Sequence, residues 1–405
     1  MANSLLTINM ITREAVRLWK NSNAFLQNID TQYDDSFAQT GAKIGTTLRI
    51  RLPNDFTVRT GAAASVQDTS EQSTTMTLAT QKGVDVSFSS VDRAMSLDDY
   101  STRILAPGIN NLAGAVALDV MSGAEGGVCN YVANTDVSNN IINPTANTYL
   151  ESVAQLNDNS ADMSNRKVVN DPWTEARTVA TLSGLFNPQP KISTQYTSGT
   201  MRGQALGLDW LMDQTVLKHT SGTFTAGTVA GADQSGLTLT TNAITGTLNV
   251  GDIITIEGVY AVNRITKQST GMLRQFAVTA NVSTLATSIP IYPAIVASAG
   301  GSQVQYQTVV NAPANGAAIT LVSKPSEVYR KNIAYAPQAV TMATADLELP
   351  RGVHEAARES FDGISMRMVT DYVVQTDQMI TRLDILYGYL WVRPEWAVVV
   401  ADSIA

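Results

Sequence analysis

The sequence predicts an α+β chain of several lobes with an antiparallel β-barrel domain inserted into it, and three observations carry that reading. First, its 405 residues exceed the ~250–300 at which single cores stop growing. Second, apolar residues recur at helical spacing in two places and alternate with polar ones in several others. Third, residues 222–325 differ in composition from what flanks them: three acids and four bases give this span +1, so the rest of a chain of net charge −8 carries −9.

The elements follow in order. Thr12 is placed to cap a helix in which Ala15, Leu18, Trp19, Ser22 and Leu26 form one stripe. This amphipathic arm, within residues 1–45, has a face that suits either its own body or a neighbouring chain. Over residues 46–92, Leu48, Ile50 and Leu52 alternate against Thr47, Arg49 and Arg51, and TTMTLATQKGVDVSFS from Thr74 answers them. The link between, GAAASVQDTSEQS, has almost no large apolar side chains, so the pair reads as an extended β-arm that needs an outside surface to lie on. Ser96-Leu97-Asp98-Asp99 then opens a long helix within 93–130, with Tyr100, Ile104, Gly108, Leu112, Val116 and Val120 on one path and a bend at Pro107-Gly108. Residues 131–221 predict a helix near Tyr149–Leu156 and a buried strand in VATLSGLFNPQ ending at Pro188.

In the inserted span 222–325, short Thr- and Val-rich strands come at turn-marked intervals. TLNVGDIITIEGV gives a turn at Gly251-Asp252, the alternating pair Ile254 and Ile256, and a second break at Gly258, before a strand over Gln275–Val282. Residues 326–405 return to strand pattern. In Leu383–Val392 both alternating sets are apolar, so that strand is expected to be covered on both faces. Its aromatic residues read as core before they read as a ligand platform.

The composition excludes several functions. A net charge of −8 and a pI of 4.9 repel nucleic acid. Cys129 is the single cysteine, so no internal disulfide or CxxC site exists. His354-Glu355 begins HExxH, but Arg358 stands where the second histidine would be needed. No Walker loop, GxSxG elbow or strand-linked GxGxxG is present, so no catalytic residue, cofactor or metal is expected. The N-terminus lacks a signal peptide, and no apolar run approaches about 18 residues. A soluble protein without a membrane partner is expected. Only 15% of residues are charged, against roughly 25% usually, which leaves wide uncharged polar surfaces suited to burial against other proteins.

Arm, β-arm, long helix, interrupted mixed lobe and return strand, in that order, resemble the major coat proteins of tailed phages with the Hong Kong-97 fold, and among them the P-22-type coat protein family. The resemblance rests on FNPQ at Phe186–Gln189, on Gly251–Val259 with Phe276 and Val278 after it, and on Tyr387, Gly388 and Arg393-Pro394-Glu395. It implies a Hong Kong-97-like capsid fold and an icosahedral virion shell of pentamers and hexamers of this chain, assembled in the host cytoplasm. By family analogy the partners are a scaffolding protein and a portal, with double-stranded DNA enclosed but not bound by sequence. The family's inserted domain carries a long acidic loop that reaches a neighbouring capsomer; here the corresponding AGADQSG is short, with Asp233 its one acid. The subunit-interface candidates are Leu18, Trp19, Leu26, Arg49, Arg51, Arg59 and Asp233, and the hinge candidates are Pro107 and Gly108. Lys43 or Lys82 would suggest the covalent Lys–Asn crosslinking known elsewhere in this fold, but lysines at strand ends are commonplace and the P-22-type family does without it. The alternative is a non-capsid β-rich structural or adhesive protein that binds carbohydrate through its aromatics.

Overall fold

The computed structural model describes residues 8–31, 47–56, 58, 61–63, 66, 72–89, 106–182, 199–201, 203–298, 304–361 and 363–404. These fall into two compact units, one of Met1–Ile50, Ser73–Val120 and Val340–Val392, the other of Arg51–Gln72, Met121–Ala339 and Arg393–Ala405.

In the first unit, α1 (Ile8–Ser22) buries Thr12, Ala15, Val16 and Trp19. That face lies on β17 (Glu355–Phe361) and β18 (Ile364–Val373) of the same unit. The cap assigned to Thr12 is corrected: the helix already runs from Ile8, and the Thr12 hydroxyl sits 3.6 Å from Met368 Sδ inside the core. The β-arm begins as expected with β1 (Thr47–Arg51) paired to β2 (Ser73–Thr77). The second arm strand does not continue unbroken; β3 (Thr80–Ser89) is separate and pairs instead with β19 (Gln378–Trp391), from Tyr387↔Thr80 to Gln378↔Ser89.

Strand β19 is the spine of this sheet, antiparallel also to β18 and to β16 (Val340–Ala345). Its Leu383, Ile385, Tyr387 and Trp391 are buried, and the opposite set, Leu386, Leu390 and Val392, is half-buried. Leu390 and Val392 pack on Ile50, Met76, Leu78 and Ala343. Both faces are therefore covered, one more deeply than the other. Helix α2 (Ala106–Ser122) buries Ile109, Leu112, Ala113, Val116, Ala117 and Val120. Pro107 stands in its first turn, where a missing N–H costs nothing. The Asp98-Asp99 start, Tyr100 and Ile104 lie outside the described residues.

The second unit holds a mixed sheet in the order β5-β4-β20-β15-β6-β8-β7, with β9 on β15. Its strands are β4 (Asn130–Thr135), β5 (Ile141–Ile142), β6 (Lys167–Asn170), β7 (Gln204–Ala205), β8 (Leu208–Met212), β9 (Leu217–Thr220), β15 (Val328–Tyr335) and β20 (Ala397–Ser403). Pairs β4–β20 and β6–β8 are parallel, and Val398, Val399, Val400 and Ala401 are all buried. Such apolar runs are what a doubly covered strand requires. Helix α3 (Ala146–Asp158) contains the predicted 149–156 helix and packs on β4 and β20.

The predicted strand from Val179 is corrected as far as it is described. Val179–Leu182 end helix α4 (Pro172–Leu182). Asp171 accepts from Trp173 N at 2.9 Å through Oδ1 and Pro172 opens the first turn, so a capped nucleus propagates through residues of strand propensity. FNPQ lies outside the described residues.

The inserted segment carries the antiparallel sheet β10-β13-β12-β11-β14, with β10 (Gly236–Thr240), β11 (Ile253–Val262), β12 (Ser269–Val278), β13 (Ser288–Ile295) and β14 (Ile319–Leu321). Strand β12 starts and ends earlier than the predicted Gln275–Val282. Ile254 and Ile256, fully buried as their alternation requires, share a core with Phe224, Leu239, Phe276, Ile289 and Ile291. The five named strands form an open sheet: edge strands β10 and β14 do not pair directly with each other.

Candidate junction and assembly sites

The inserted segment is tied to the sheet that hosts it by one buried polar cluster, and the Gly-Asp of the Gly251–Val259 motif is its centre. Asp252, fully buried, accepts from Gly222 N at 3.0 Å, from Asn249 N at 2.7 Å and from His219 Nε2 at 2.8 Å. The other imidazole nitrogen, Nδ1, lies 3.7 Å from Glu125. Lys331 on β15, also buried, donates its ammonium to Gly251 O at 2.9 Å. Burial pulls the Lys331 pKa down from 10.5 to about 8, with Glu125 and Asp252 opposing. Burial would raise Glu125, but the His219 bond and the Lys331 charge outweigh it and its pKa is lowered. Two carboxylates, one ammonium and one imidazole thus meet at the junction.

A second tie covers a strand edge. The Gln275 amide accepts from Tyr131 N at 2.7 Å and donates to Tyr131 O at 2.9 Å, acting as one more pairing partner for β4. Beside it Arg274, 8% exposed, donates to Cys129 Sγ at 3.4 Å. Burial pushes the Cys129 thiol up, which marks it as an inert core residue. Arg264 bridges Asp55 at 2.9 Å and Glu395 at 3.1 Å, and Tyr306 donates to Asn54 at 3.2 Å. A cavity of about 300 Å³ lies between Leu52 and Pro53 on one side and Val262, Tyr292 and Val296 on the other.

In the first unit, Asp119 of α2 receives Lys82 at 2.7 Å and the Tyr387 hydroxyl, while Trp391 Nε1 donates to Val120 O at 2.9 Å. These bonds clamp the helix to β3 and β19. Lys82 is thus engaged in a structural ion pair, and Lys43 lies outside the described residues.

Of the interface candidates, Trp19 and Leu26 are buried in their own unit and Leu18 is half-buried, so this stripe is used within the chain. Arg49 and Arg51 are exposed on the arm, Arg49 donating to Ser73 Oγ at 2.9 Å, and Arg59 lies outside the described residues. Asp233 is exposed in a tight bend at φ 57°, its N–H bonded to Pro313 O at 3.1 Å. Pro107 and Gly108 are the second and third residues of α2.

Sequence reasoning missed His219, Lys331, Glu125, Arg264 and Gln275. The scarcity of charge was the available signal: Asp252, Arg264, Arg274 and Lys324, four of the seven charges between 222 and 325, bond to another segment. Among the described residues no group of three or more His, Cys, Asp or Glu could hold a metal, and no helix is long and apolar enough to cross a membrane.

The family described as P22 coat protein, gene protein 5, matches residues 62–400, which takes in most of the chain and the whole inserted segment but leaves out Met1–Ile50 of the first unit. The chain belongs to the P22 coat protein family. It is a major capsid protein of a tailed phage. Among solved structures, this coat protein is similar to a chain described as Mycobacterium phage Che8, at 11% identity over 93% of this chain and 90% of that one, with a TM-score of 0.46. The capsid of cyanophage P-SCSP1u is similar at 10% identity over 89% and 84%, with a TM-score of 0.43. The CUS-3 coat protein I-domain matches at 26% identity over 25% of this chain and 96% of its own, with a TM-score of 0.20. Comparison with curated protein sequences finds no match.

Proposed function

We propose that this coat protein closes an icosahedral shell of pentamers and hexamers around double-stranded DNA, with the Hong Kong-97 fold and its inserted domain as a separately folding β-barrel. The observation that carries it is the family match across 62–400, continuous through the inserted segment. A barrel is supported by residues 227–230. They bond to the end of β10 through Ala230 N→Thr240 O and Asn242 N→Thr228 O, and to β14 through Val229 N→Ala317 O and Ile319 N→Gly227 O. The negative net charge suits a wall that encloses DNA without gripping it. A scaffolding protein and a portal are the partners such a shell needs, with assembly in the host cytoplasm. Arg49, Arg51 and Asp233, all exposed, are proposed contacts between subunits. Pro107-Gly108, at the start of α2, is the proposed place where the chain entering that helix changes direction between immature and expanded shells.

Electron microscopy of the purified protein tests the reading. Closed shells or open polyheads support it. Particles that stay dispersed under all assembly conditions while binding glycans would favour the adhesive alternative.

A further inference from the structure

Residues 51–72 belong to the second unit, although the strands on either side, β1 and β2, belong largely to the first. What holds their start is small and polar. Asp55 pairs with Arg264, and Asn54 accepts from Tyr306. Both partners of the Asp55–Arg264 pair are about three-quarters buried, at 24% and 27% side-chain exposure, and Arg264 is shared with Glu395, so Asp55 is the replaceable half of the pair. The seat is not closely packed either, since a half-open cleft of about 300 Å³ remains beside Leu52 and Pro53. Meanwhile Phe56 is 62% exposed and Val58 96% exposed. A segment that leaves its large apolar side chains in water while its polar ones hold it down is seated loosely and has a better partner elsewhere.

We propose that residues 52–56 form a strap latched on the inserted segment in the free subunit, and that this latch opens during assembly so that Phe56 and Val58, exposed in the latched state, move onto a second copy of the chain. The latch keeps the strap down before assembly, and because it consists of one shared ion pair and one neutral hydrogen bond, subunit contact displaces it. Arg264 is suited to hold without locking, because Glu395 keeps it paired at 3.1 Å when Asp55 leaves. No buried cation is orphaned by opening, so release avoids the several kcal/mol that an unpaired buried charge would cost.

The inference rests on the shell-forming reading above, and a reversible lock separates the two. The double variant Asp55→Cys/Arg264→Cys is crosslinked as free subunits with a bismaleimide whose linker holds a reducible disulfide, because the two positions meet only through long side chains and a direct disulfide would be too short; it is then split into locked and dithiothreitol-reduced samples and examined by electron microscopy beside the unaltered chain. The native Cys129 is fully buried and takes no part. The expected result is an intrachain crosslink in the free subunit, loss of shells from the locked sample and their return on reduction. Locked subunits that assemble as readily as reduced ones overturn the latch, and so does absence of the intrachain crosslink from free subunits. Absence of shells from the unaltered chain overturns the shell reading itself. A parallel lock, Asn54→Cys/Tyr306→Cys, repeats the measurement in case the first pair hinders folding.

Discussion

Replacing Gly251 by alanine isolates what the Gly-Asp motif does, because the same motif supplies its own control in Gly258. Both glycines have positive φ, +87° and +77°. An L side chain in that region costs ~1–2 kcal/mol. At Gly258 nothing lies within 4 Å of the added Cβ, so the backbone term is the whole cost. At Gly251 the Cβ would meet Lys331 Nζ at 2.4 Å and Glu125 O at 3.0 Å. The ammonium must move, and its bond to Gly251 O is lost. A hydrogen bond to a charged group is worth about 1.5–3 kcal/mol, so Gly251→Ala is expected to cost about 3–5 kcal/mol and Gly258→Ala about 1–2. Urea-dependent amide exchange at Val278 and Leu248, whose N–H groups bond to Asp252 O and Val282 O, reads local opening there. In a Lys331→Ala background the extra cost of Gly251→Ala should fall to what the remaining Glu125 O contact at 3.0 Å costs, since the ammonium is gone. Equal losses for the two glycine variants, or an excess undiminished in that background, would refute the reasoning.

Ile256→Asp places a carboxylate where the side chain is fully buried; it is expected to cost several kcal/mol and to collapse the dispersed amide NMR spectrum of an isolated 222–325 fragment. Ile256→Val should keep that spectrum at a cost of about 1 kcal/mol. The Lys331 pKa, held near 8 by burial against 10.5 unfolded, makes the unfolded chain bind more protons between those values. Stability should therefore climb by up to about 3 kcal/mol as pH rises through that window, and Lys331→Met should flatten the climb in urea titrations. Above pH 10 the buried Tyr131 and Tyr335, whose pKa values burial raises, act in the opposite sense, and stability should fall. Lys82→Met removes the ammonium paired with Asp119 on a half-buried helix face; it should cost roughly 1–2 kcal/mol and raise amide exchange in α2 before it affects the inserted segment. Unchanged exchange there would mean that the clamp is ornamental.

Wherever burial is one-sided or complete, the fold was legible in the sequence. Alternation in Ile254 and Ile256, a doubly apolar Leu383–Val392 and a 3.6-residue path through Leu112, Val116 and Val120 each state which side chains leave water, and the structure buries them accordingly. Where boundaries depend on a few polar bonds, pattern misled. Val179–Leu182 has strand propensity, but the helix is nucleated earlier by Asp171 and Pro172, and propagation is cheaper than nucleation. Thr12 has a capping residue's chemistry, yet the helix had already started at Ile8.

The junction was the least legible part for a related reason. Its members, Glu125, His219, Asp252 and Lys331, come from four distant stretches, and no spacing rule connects them. What a sequence can show is scarcity. In a segment with seven charges among more than a hundred residues, Asp252 cannot be explained as solubilising surface, and it proves to be fully buried with three donors on its carboxylate. Asp233, the charge that family resemblance selected, is exposed on a short bend. Desolvation explains the difference. A rare charge kept inside must be held by specific partners or it would destabilise the fold, whereas one on a loop can be kept or lost at little cost. For an inserted domain of low charge, the acid most worth substituting is the one beside a positive-φ glycine at a strand start, because that pairing of a turn with a buried acceptor is how the backbone of one lobe is fastened to the next.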